Sequence, residues 1–405
     1  MKKIIFSYLF IALILPLSHL IAQSSLPRVY LMDADRLVSV QQAYQAKRQI
    51  EKESIQAVIS EAVDLLKFQP VSVMQKSQAG PSGDKHDYVS VSPYWWPDSS
   101  KPDGLPYIRR DGVINPDRYT LGDRERIGAM VNAVSTLSLA YYITLEERFA
   151  SHAAQILKTW FLEPKTKMNP HLEYSQIVRG LNLGRGTGII DSYGFRNVVD
   201  AIGLLNGSRH WTTDDQRGIE KWFAQYLDWL LNSKNGKEEA EAENNHGTTY
   251  AVQVATIALF LDRSDIAQEY VQEGKERIAA QIEPNGSQPL ELVRTKSWNY
   301  SMLNLEALIQ LALLGEVVGI DLWHYQTSDG RCIRKAIEFL IPSATRKAEW
   351  KEQQITRMES ERLCAVLQLA AVKYRYPEYE SIRRLIPNTK WLADRSNIIY
   401  PKLSQ

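Results

Sequence analysis

The sequence has 405 residues, of which 44% are hydrophobic and 23% are charged, and its formal net charge is +1. This balance, together with the lack of a basic run or nucleic-acid motif, excludes a globally basic nucleic-acid-binding protein. The length and apolar content suffice for one large domain with a substantial core. Because no Gly/Ser-rich or Pro-rich linker interrupts the chain, we predict a single domain over residues 23–405.

The first 22 residues have the pattern of a secretory signal peptide. Two lysines precede the apolar run 4–17, and Ala22 is a small residue at the predicted cleavage point. Pro16 and His19 keep the apolar run well short of the ~20 residues that a membrane-spanning helix needs. We therefore expect a protein that is secreted to the periplasm without a membrane anchor. Its net charge is −1 once the two lysines are removed.

Beyond this segment, apolar residues recur at the i, i+3, i+4, i+7 spacing of amphipathic helices, and strand-like alternation is scarce. The pattern predicts at least nine helices joined by short polar connections. Successive antiparallel pairs would close most naturally as a ring, so the predicted fold is all-α, an (α/α) toroid or incomplete barrel. The clearest helical segments are 55–66, 127–134, 149–160, 219–230, 249–261, 305–309 and 363–370.

Two regions interrupt the helical pattern. Residues 81–122 are rich in Pro, Gly, Asp and aromatic residues, and residues 164–193 contain several Gly and Pro. Long irregular loops in a compact domain commonly serve a functional site. Flat aromatic faces match the C–H faces of sugar rings, although the tryptophans of the first loop fit a core plug at one end of the toroid equally well. The candidate binding residues in these loops are Tyr94, Trp95, Trp96, Tyr107, Gln176, Arg179 and Arg185.

A third informative segment is Glu-Asn-Asn-His-Gly at 243–247, which lies where a polar run meets the helical pattern that starts near Thr249. Either asparagine is a suitable N-cap. A histidine in the first helical turn feels the positive end of the helix dipole, which favours the neutral imidazole. That form suits a general base or a hydrogen-bond donor to a carboxylate. The acidic run 238–243 just before it is interpreted as a solvated loop.

Further along the chain, Arg294 and Tyr300 complete a set of side chains suited to β-elimination on a uronic-acid polymer. The proton on C5 of a uronate is removed only if the adjacent carboxylate is neutralised, and Asn245 and Arg294 could clamp its two oxygens. Tyr300 could exchange protons with C5 and O4 when both lie on one face of the ring, with a phenolate-like state favoured by nearby cations. His246 could be the base when they lie on opposite faces.

Taken singly, each of these residues has a structural explanation as a helix cap, a surface ion pair or a half-buried aromatic. In combination, the chain resembles the alginate lyase superfamily of uronate-specific polysaccharide lyases. The resemblance implies a toroid of paired helices around a groove, with Asn245, His246, Arg294 and Tyr300 as catalytic residues. It rests on Tyr-Trp-Trp-Pro-Asp at 94–98 and on the segments 106–108, 110–112, 115–116, 168–170, 186–191 and 244–247.

Two other classes of function remain open on the sequence alone. A glycoside hydrolase on a similar toroid would need a pair of placed carboxylates, for which Glu241, Glu243 and Asp191 are available. A non-catalytic periplasmic glycan-binding protein would use the same aromatic residues. The ultraviolet absorbance of a new C4–C5 double bond distinguishes a lyase from both.

An acidic polysaccharide partner would have to bind a local basic groove, because the overall charge is close to zero. The chain has no HExxH motif or close histidine pair, so we predict neither a metal nor another cofactor. Cys332 and Cys364 lie among apolar helical residues, which leaves both buried thiols and a disulfide open. The oligomeric state, the preferred uronate and the choice of internal or terminal cleavage also stay open. Candidates for this basic groove are Arg109, Arg110, Arg179, Arg185, Arg294 and Lys296. Trp298, close to Lys296 in the sequence, is a further candidate substrate-binding residue.

Overall fold

The computed structural model of the protein describes residues 26–387 and 391–403. The predicted signal peptide lies outside the described residues. Within them the chain forms an all-α toroid, which confirms the predicted fold class. The helices are α1 (Ala34–Gln45), α2 (Lys52–Leu65), α3 (Asp123–Thr144), α4 (Glu147–Leu157), α5 (Phe195–Leu204), α6 (Thr213–Asn232), α7 (Lys234–Ala240), α8 (Asn245–Phe260), α9 (Ser264–Gln281), α10 (Pro289–Leu292), α11 (Ser297–Val318), α12 (Ile333–Ala344), α13 (Leu363–Lys373), α14 (Glu378–Arg383) and α15 (Ser396–Ile399).

The two irregular regions predicted between the helices contain short β-strands and are joined to each other. In parallel pairing, β1 (Val89–Val91) of the first region lies beside β4 (Tyr174–Ile177) of the second. Within the first region, β2 (Trp95–Trp96) and β3 (Ile108–Arg109) pair in antiparallel fashion. The two loops therefore form one continuous feature of the surface.

Helix α8 occupies the centre of the core and packs against α9 and α11. Every residue of α8 except His246 is buried. A helix that is apolar or buried on all sides belongs to a protein interior, and its polar residues need partners there. The single accessible side chain of α8 is thus a histidine in its first turn, next to the chain segment that enters the helix.

The entry into α8 differs from the sequence-based interpretation in one respect. Asn244 is the N-cap, and its Oδ1 accepts the backbone N–H of His246 at 3.1 Å. The preceding residues are not a solvated loop, because Ser233 caps the short helix α7 by accepting the N–H of Gly236 at 2.9 Å. Gly247 lets these segments meet, since a Cβ there would lie 2.0 Å from the carbonyl oxygen of Ala242.

Helices α3 and α11, each of 22 residues, are long and apolar enough to cross a membrane by length and composition. However, 78% of the apolar window of α3 and 61% of that of α11 are buried inside the protein. The core of the toroid accounts for their apolar character. One or two such helices are common in the interior of a globular domain.

The two cysteines lie near the C-terminal helices. Cys332 is half-buried just before α12, and Cys364 is buried in α13. No disulfide joins these two described residues. The stability of this part of the toroid therefore rests on side-chain packing.

A buried ion pair ties the first irregular region to the start of α3. The Nζ of Lys76 lies 3.1 Å from Oδ2 of Asp123, and both side chains are fully buried. Asp123 also accepts the backbone N–H of Val89 in β1 at 3.1 Å and pairs with Arg126. Burial raises the pKa of Asp123 to about 6, although the neighbouring Lys76 counteracts part of that effect. The carboxylate thus depends on its partners.

Replacing Lys76 with Met should lower the free energy of unfolding by roughly 3–5 kcal/mol, because it leaves a fully buried carboxylate without its fully buried cation. Urea-induced unfolding followed by circular dichroism measures this change. The exposed Lys237→Met variant, in α7, is the matched control and should stay within about 0.5 kcal/mol of the wild type. Equal stabilities of the two variants would show that the buried pair contributes nothing.

Candidate active site

Tyr300 and Tyr94 meet where the first irregular region contacts the start of α11. The hydroxyl of Tyr300 donates a hydrogen bond to the hydroxyl of Tyr94 at 3.0 Å. The guanidinium carbon of Arg294 lies 3.9 Å from the centre of the Tyr300 ring, and Nζ of Lys296 lies 5.3 Å from that of Tyr94. Both distances are within the range of cation–π contacts. Four of the predicted site residues are therefore gathered in one cluster.

The protonation state of Tyr300 differs from the expectation. Burial raises the pKa of Tyr300 well above its ordinary value, and the neighbouring Tyr94 raises it further. Arg294 acts in the opposite direction but does not outweigh burial. Arg294 thus acts in the direction of the predicted phenolate-like state, whereas burial and Tyr94 oppose it more strongly. Tyr300 is a neutral phenol at neutral pH, and a neutral phenol can donate a proton.

Arg294 is held by a carboxylate from the first irregular region. Its Nη2 lies 2.8 Å from Oδ1 of Asp111, and its Nε lies 3.2 Å from Oδ2. Oδ2 of Asp111 also accepts bonds from the backbone N–H and the hydroxyl of Thr295, at 3.2 and 3.0 Å. Burial alone would raise the pKa of Asp111, but these hydrogen bonds outweigh it and hold the pKa well below its usual range.

Gly112 allows this contact between distant parts of the chain. It has a φ of +72°, and a Cβ there would lie 2.2 Å from Oγ1 of Thr295. A side chain at this position would therefore both strain the backbone and push the loop away from α11. In the Arg-Asp-Gly sequence at 110–112, Asp111 thus binds Arg294, and Gly112 allows the close approach that this bond requires.

Asn245 is fully buried, at 0% exposure. Its backbone N–H and its side-chain Nδ2 donate to the two oxygens of Glu291, at 2.7 and 2.6 Å. In this structure the amide is buried and bound to an acid, and the role of Asn245 as a clamp on a substrate carboxylate stays a prediction. Burial raises the pKa of Glu291, whereas the bonds from Asn245 and the charge of Arg294 lower it in part. Asn245 therefore serves to hold the start of α8.

His246, the next residue, is accessible and paired with a second acid. Its Nδ1 lies 2.7 Å from Oε1 of Glu239 in α7, and its side chain is 19% exposed. Because Glu239 occupies Nδ1, the other ring nitrogen, Nε2, is the one available to a ligand. His246 also lies close enough to Glu291 for its charge to affect that carboxyl. The histidine thus connects α8 to the acids around it.

Arg185 from the second irregular region faces the aromatic residues of the first. Its guanidinium carbon lies 5.7 Å from the centre of the Trp95 ring, and its Nη2 donates to Oγ of Ser92 at 2.7 Å. Nη2 also donates to Oε1 of Gln176 at 3.0 Å. Burial lowers the pKa of Arg185, so the side chain is partly desolvated. These contacts place a cation beside a half-buried tryptophan.

Gln176 is buried, so the prediction that it binds substrate directly is wrong. Its Nε2 donates to Oδ1 of Asp191 at 3.0 Å, and its backbone N–H donates to Oγ of Ser90 at 2.8 Å. Its φ is +50°, in the left-handed region that non-glycine residues seldom adopt. Such strain is common where a side chain is held for a function. Gln176 thus holds Arg185 by accepting a bond from its guanidinium.

Trp95 and Trp96 are half-buried on the β2–β3 hairpin and lie outside the main core cluster. In the hairpin, Trp95 lies opposite Arg109. The Nε1–H of Trp96 donates to the carbonyl of Val113 at 2.9 Å, and Arg110 lies 5.3 Å from the centre of its ring. The tryptophans therefore do not plug the toroid, and part of each ring is accessible to a ligand.

Two further aromatic predictions are wrong because the side chains are buried. Tyr107 is 8% exposed, and its hydroxyl donates to Asp117 at 2.7 Å, which fixes the loop. Trp298 is 0% exposed and packs edge-on against Trp350 at 5.1 Å between ring centres. Neither ring can stack on a sugar. Arg179, in contrast, has an exposed side chain at the rim of the second loop.

The structure also shows acidic residues whose roles the sequence analysis did not recognise. Glu239 and Glu291 are both 1% exposed and bind His246 and Asn245, respectively. The only sequence signal for Glu239 is that it follows Ser233, a residue suited to cap a helix. The acidic run around Glu239 makes a solvated loop the simpler interpretation. Glu291 gave no signal, since it lies in the four-residue helix α10 and meets Asn245 only through the tertiary fold.

Among the described residues, 26–387 and 391–403, no group of three or more His, Cys, Asp or Glu side chains is arranged to hold a metal ion. The carboxylates of the site are instead paired with Arg, His and Asn donors. Asp191, for example, accepts from the hydroxyls of Tyr88 and Ser90 at 3.0 and 2.7 Å and pairs with Arg124. The described acids around the site thus accept hydrogen bonds and ion pairs from neighbouring side chains.

Comparison with known proteins agrees with this arrangement. The family model of the alginate lyases matches residues 72–350. An alginate lyase structure from Bacteroides ovatus is 40% identical, has a TM-score of 0.88, and is matched over 93% of this chain and 99% of its own. Alginate lyase A1-III from Sphingomonas species A1 is 15% identical, has a TM-score of 0.60, and is matched over 93% and 98%. No curated protein gave a significant match.

The fold and the residues at its centre define a polysaccharide lyase that acts on acidic polymers. The chain belongs to the alginate lyase family. The predictions of a polyuronate lyase and of an acidic polysaccharide partner are thereby confirmed. A variant of alginate lyase A1-III complexed with a tetrasaccharide has the same fold, with a TM-score of 0.59 at 15% identity, and is matched over 94% of this chain and 98% of its own.

Asp111→Asn should loosen the docking of the first irregular region onto α11, because it removes the charge that holds Arg294. Charge-assisted hydrogen bonds contribute roughly 1.5–3 kcal/mol, so hydrogen exchange of residues 106–115 should accelerate by about tenfold or more. Asp103→Asn, an exposed residue of the same loop, is the matched control. Exchange that is equally fast in both variants would argue against a holding role for Asp111.

Proposed function

We propose that the protein cleaves 1,4-linked polyuronate chains by β-elimination and leaves a 4,5-unsaturated uronate at the new end. The observation that carries this proposal is the cluster of a protonated, desolvated Tyr300 with Arg294 and Lys296 beside it. Desolvated donors next to cations are suited to stabilising an enolate-like carboxylate and protonating a leaving oxygen. Alginate is the first substrate to test, because the 40% identical structure is described as an alginate lyase.

Three cationic or donor side chains are available to neutralise the carboxylate of the substrate, besides the predicted role of Asn245. Arg294 uses Nε and Nη2 to bind Asp111, which leaves Nη1 for a second carboxylate. Lys296 is half-buried against Tyr94, and Nε2 of His246 is the third donor. Together these groups reduce the negative charge on the uronate, which makes the C5 proton easier to remove.

The elimination transfers one proton from C5 to a base and one proton from an acid to O4, while the electron pairs move from the C5–H bond toward O4. A base removes the C5 proton, the C5–H electrons form the C4–C5 double bond, and the C4–O4 bond breaks. Tyr300 protonates the departing O4, a step for which its raised pKa is suited. On opposite-face substrates such as guluronate, His246 takes the C5 proton through Nε2. On same-face substrates, Tyr300 first releases its proton to water, and the phenolate then takes the C5 proton and delivers it to O4. Arg294 lowers the pKa of Tyr300 and so assists this loss, although burial opposes it.

The aromatic hairpin forms one wall of the proposed substrate groove. Trp95, Trp96 and Tyr94 each keep part of the ring accessible, and Arg185 stands beside Trp95. A ring that stacks on a pyranose and a neighbouring cation that pairs with its carboxylate would together recognise a uronate. The exposed Arg179 extends the basic surface at the rim.

The site of action that we propose is the periplasm. The support is the amino-terminal pattern of two lysines, an apolar run and Ala22. Expression of the full-length chain, followed by amino-terminal sequencing of the protein from the periplasmic fraction, tests this proposal, and retention of residues 1–22 in the cytoplasm would contradict it.

Tyr300→Phe should reduce kcat by roughly 10²- to 10⁴-fold, because it removes only the hydroxyl that exchanges protons with the substrate. Turnover is measured from the ultraviolet absorbance of the C4–C5 double bond, and affinity from titration calorimetry with an alginate oligosaccharide. The affinity should be largely unchanged. Tyr325→Phe is the matched control, since that tyrosine lies outside the site cluster. Full activity of the Tyr300 variant would reassign Tyr300 to packing.

His246→Ala should lower activity on every polyuronate by several kcal/mol of transition-state free energy if the imidazole neutralises the carboxylate. It should abolish guluronate cleavage selectively if the imidazole is only the base for opposite-face elimination. We expect the first outcome, because His246 and Arg294 both lie close enough to Glu291 for their charges to lower its pKa, which places the imidazole near the proposed carboxylate position. Rates on poly-mannuronate, poly-guluronate and glucuronan measure the difference. Unchanged rates on all three would remove His246 from the mechanism.

A further inference from the structure

We propose that Glu239 is a positioning residue for His246: it fixes the hydrogen on Nδ1 and directs Nε2 to the uronate. The 2.7 Å contact between Oε1 of Glu239 and Nδ1 of His246 is the basis of this inference. The inference depends on the proposed function in one respect only, namely that the ligand at Nε2 is a uronate. The tautomer and orientation of the ring follow from the contact itself.

The burial of the pair separates it from an ordinary surface ion pair. Glu239 is 1% exposed and His246 is 19% exposed. Surface pairs contribute little and hold no fixed geometry, whereas a buried carboxylate must be paired to remain in place. A short bond from a buried, fixed acceptor therefore restricts the rotation of the imidazole.

Glu239 is incompletely satisfied. Its second oxygen, Oε2, is buried and has no hydrogen-bond partner among the residues that the structure describes. Burying an unsatisfied carboxylate oxygen costs stability. A residue selected for stability alone would be apolar here. The cost is explained if the carboxylate is kept for its effect on His246.

The local fold is arranged to bring Glu239 to this position. Helix α7 packs closely on the turn at Gly186–Ser192 and against α8. At Gly186, a Cβ would lie 2.7 Å from the carbonyl oxygen of Asn235 and 2.9 Å from Cβ of Glu238. Any side chain at 186 would displace α7 and move Glu239 away from the histidine. The glycine of the 186–191 motif thus has a function that the sequence analysis did not assign.

The chemical consequence is a defined role for each ring nitrogen. A carboxylate can only accept, so Nδ1 must be the donor in this bond. Nε2 then carries either a lone pair that can take the C5 proton or, when the ring is protonated, an N–H that can bind the uronate carboxylate. Without Glu239, the neutral ring could place its hydrogen on either nitrogen, and part of the protein would have the wrong tautomer.

The first test needs no substitution in Glu239. The ¹⁵N chemical shifts of His246 in the full-length mature protein, assigned by comparison with His246→Gln, report which nitrogen carries the hydrogen. We expect hydrogen on Nδ1 in the wild type, and a mixture of tautomers in Glu239→Gln. A wild-type ring with hydrogen only on Nε2 would overturn the proposal. The readout does not depend on lyase activity, so it separates failure of this inference from failure of the proposed function.

The second test is kinetic. Glu239→Gln should lower kcat by roughly 10- to 100-fold, as is typical for the loss of a group that orients a functional histidine, with little change in KM. Glu239→Asp keeps the charge and should recover part of the loss. Glu241→Gln, an exposed residue at the end of α7, is the matched control and should keep wild-type activity. Thermal unfolding of each variant identifies losses that come from misfolding.

A double variant shows whether Glu239 acts through His246. In the His246→Ala background, Glu239→Gln should cost no more than about twofold in kcat, because the group that it orients is already absent. If the two losses multiply instead, Glu239 acts independently and the proposal is wrong. A wild-type protein that produces no unsaturated product but shows the expected tautomer would overturn the proposed function and leave the role of Glu239 intact.

Discussion

The site depends on one electrostatic constraint: a carboxylate taken out of water must be bound by donors. Three such carboxylates, Glu239, Glu291 and Asp111, surround the centre, and each binds one residue that the sequence marked as catalytic. The acids are fixed by the helices and loops that carry them. Because the acids are fixed, the side chains that donate to them are fixed as well. The geometry of the site is therefore set by ion pairs and hydrogen bonds rather than by loop shape.

This constraint also limits how the protein can bind a polyanion. Three negative charges close to the site oppose an incoming uronate, and only cations with free donors offset them. Lys296 and Arg185 provide such charge beside the aromatic hairpin, at Tyr94 and Trp95, respectively. A small number of placed cations is therefore sufficient, which agrees with a chain whose net charge is close to zero.

The sequence predicts the helices well because the periodicity of apolar residues is a local property. It also predicts a cap at Asn244 or Asn245, of which the structure uses Asn244, and the two irregular regions, whose Gly and Pro content excludes long helices. It does not predict which aromatic rings are accessible. Trp298 and Tyr107 are candidates for sugar binding on the same grounds as Trp95, but both are buried.

The partners of the catalytic residues are the least predictable part of the site. A glutamate in an acidic run looks solvated until the helix that carries it is seen to turn it inward, as happens at Glu239. Glu291 meets Asn245 across 46 positions of the chain, and no local pattern encodes that meeting. The type of chemistry can thus be predicted from the side chains present in the sequence. The acids that hold those side chains in place are identified only in the three-dimensional structure.

The contact between the aromatic hairpin and α11 joins the most distant parts of the site. The Tyr94–Tyr300 hydrogen bond spans 206 positions of the chain, and the Asp111–Arg294 pair spans 183. Closing such long loops costs chain entropy that is recovered only after the intervening helices have formed. A nascent chain could therefore acquire most of its helices before any substrate-binding surface exists. Because the site is complete only when the aromatic hairpin and the start of α11 meet, partly folded intermediates that lack this contact should be inactive.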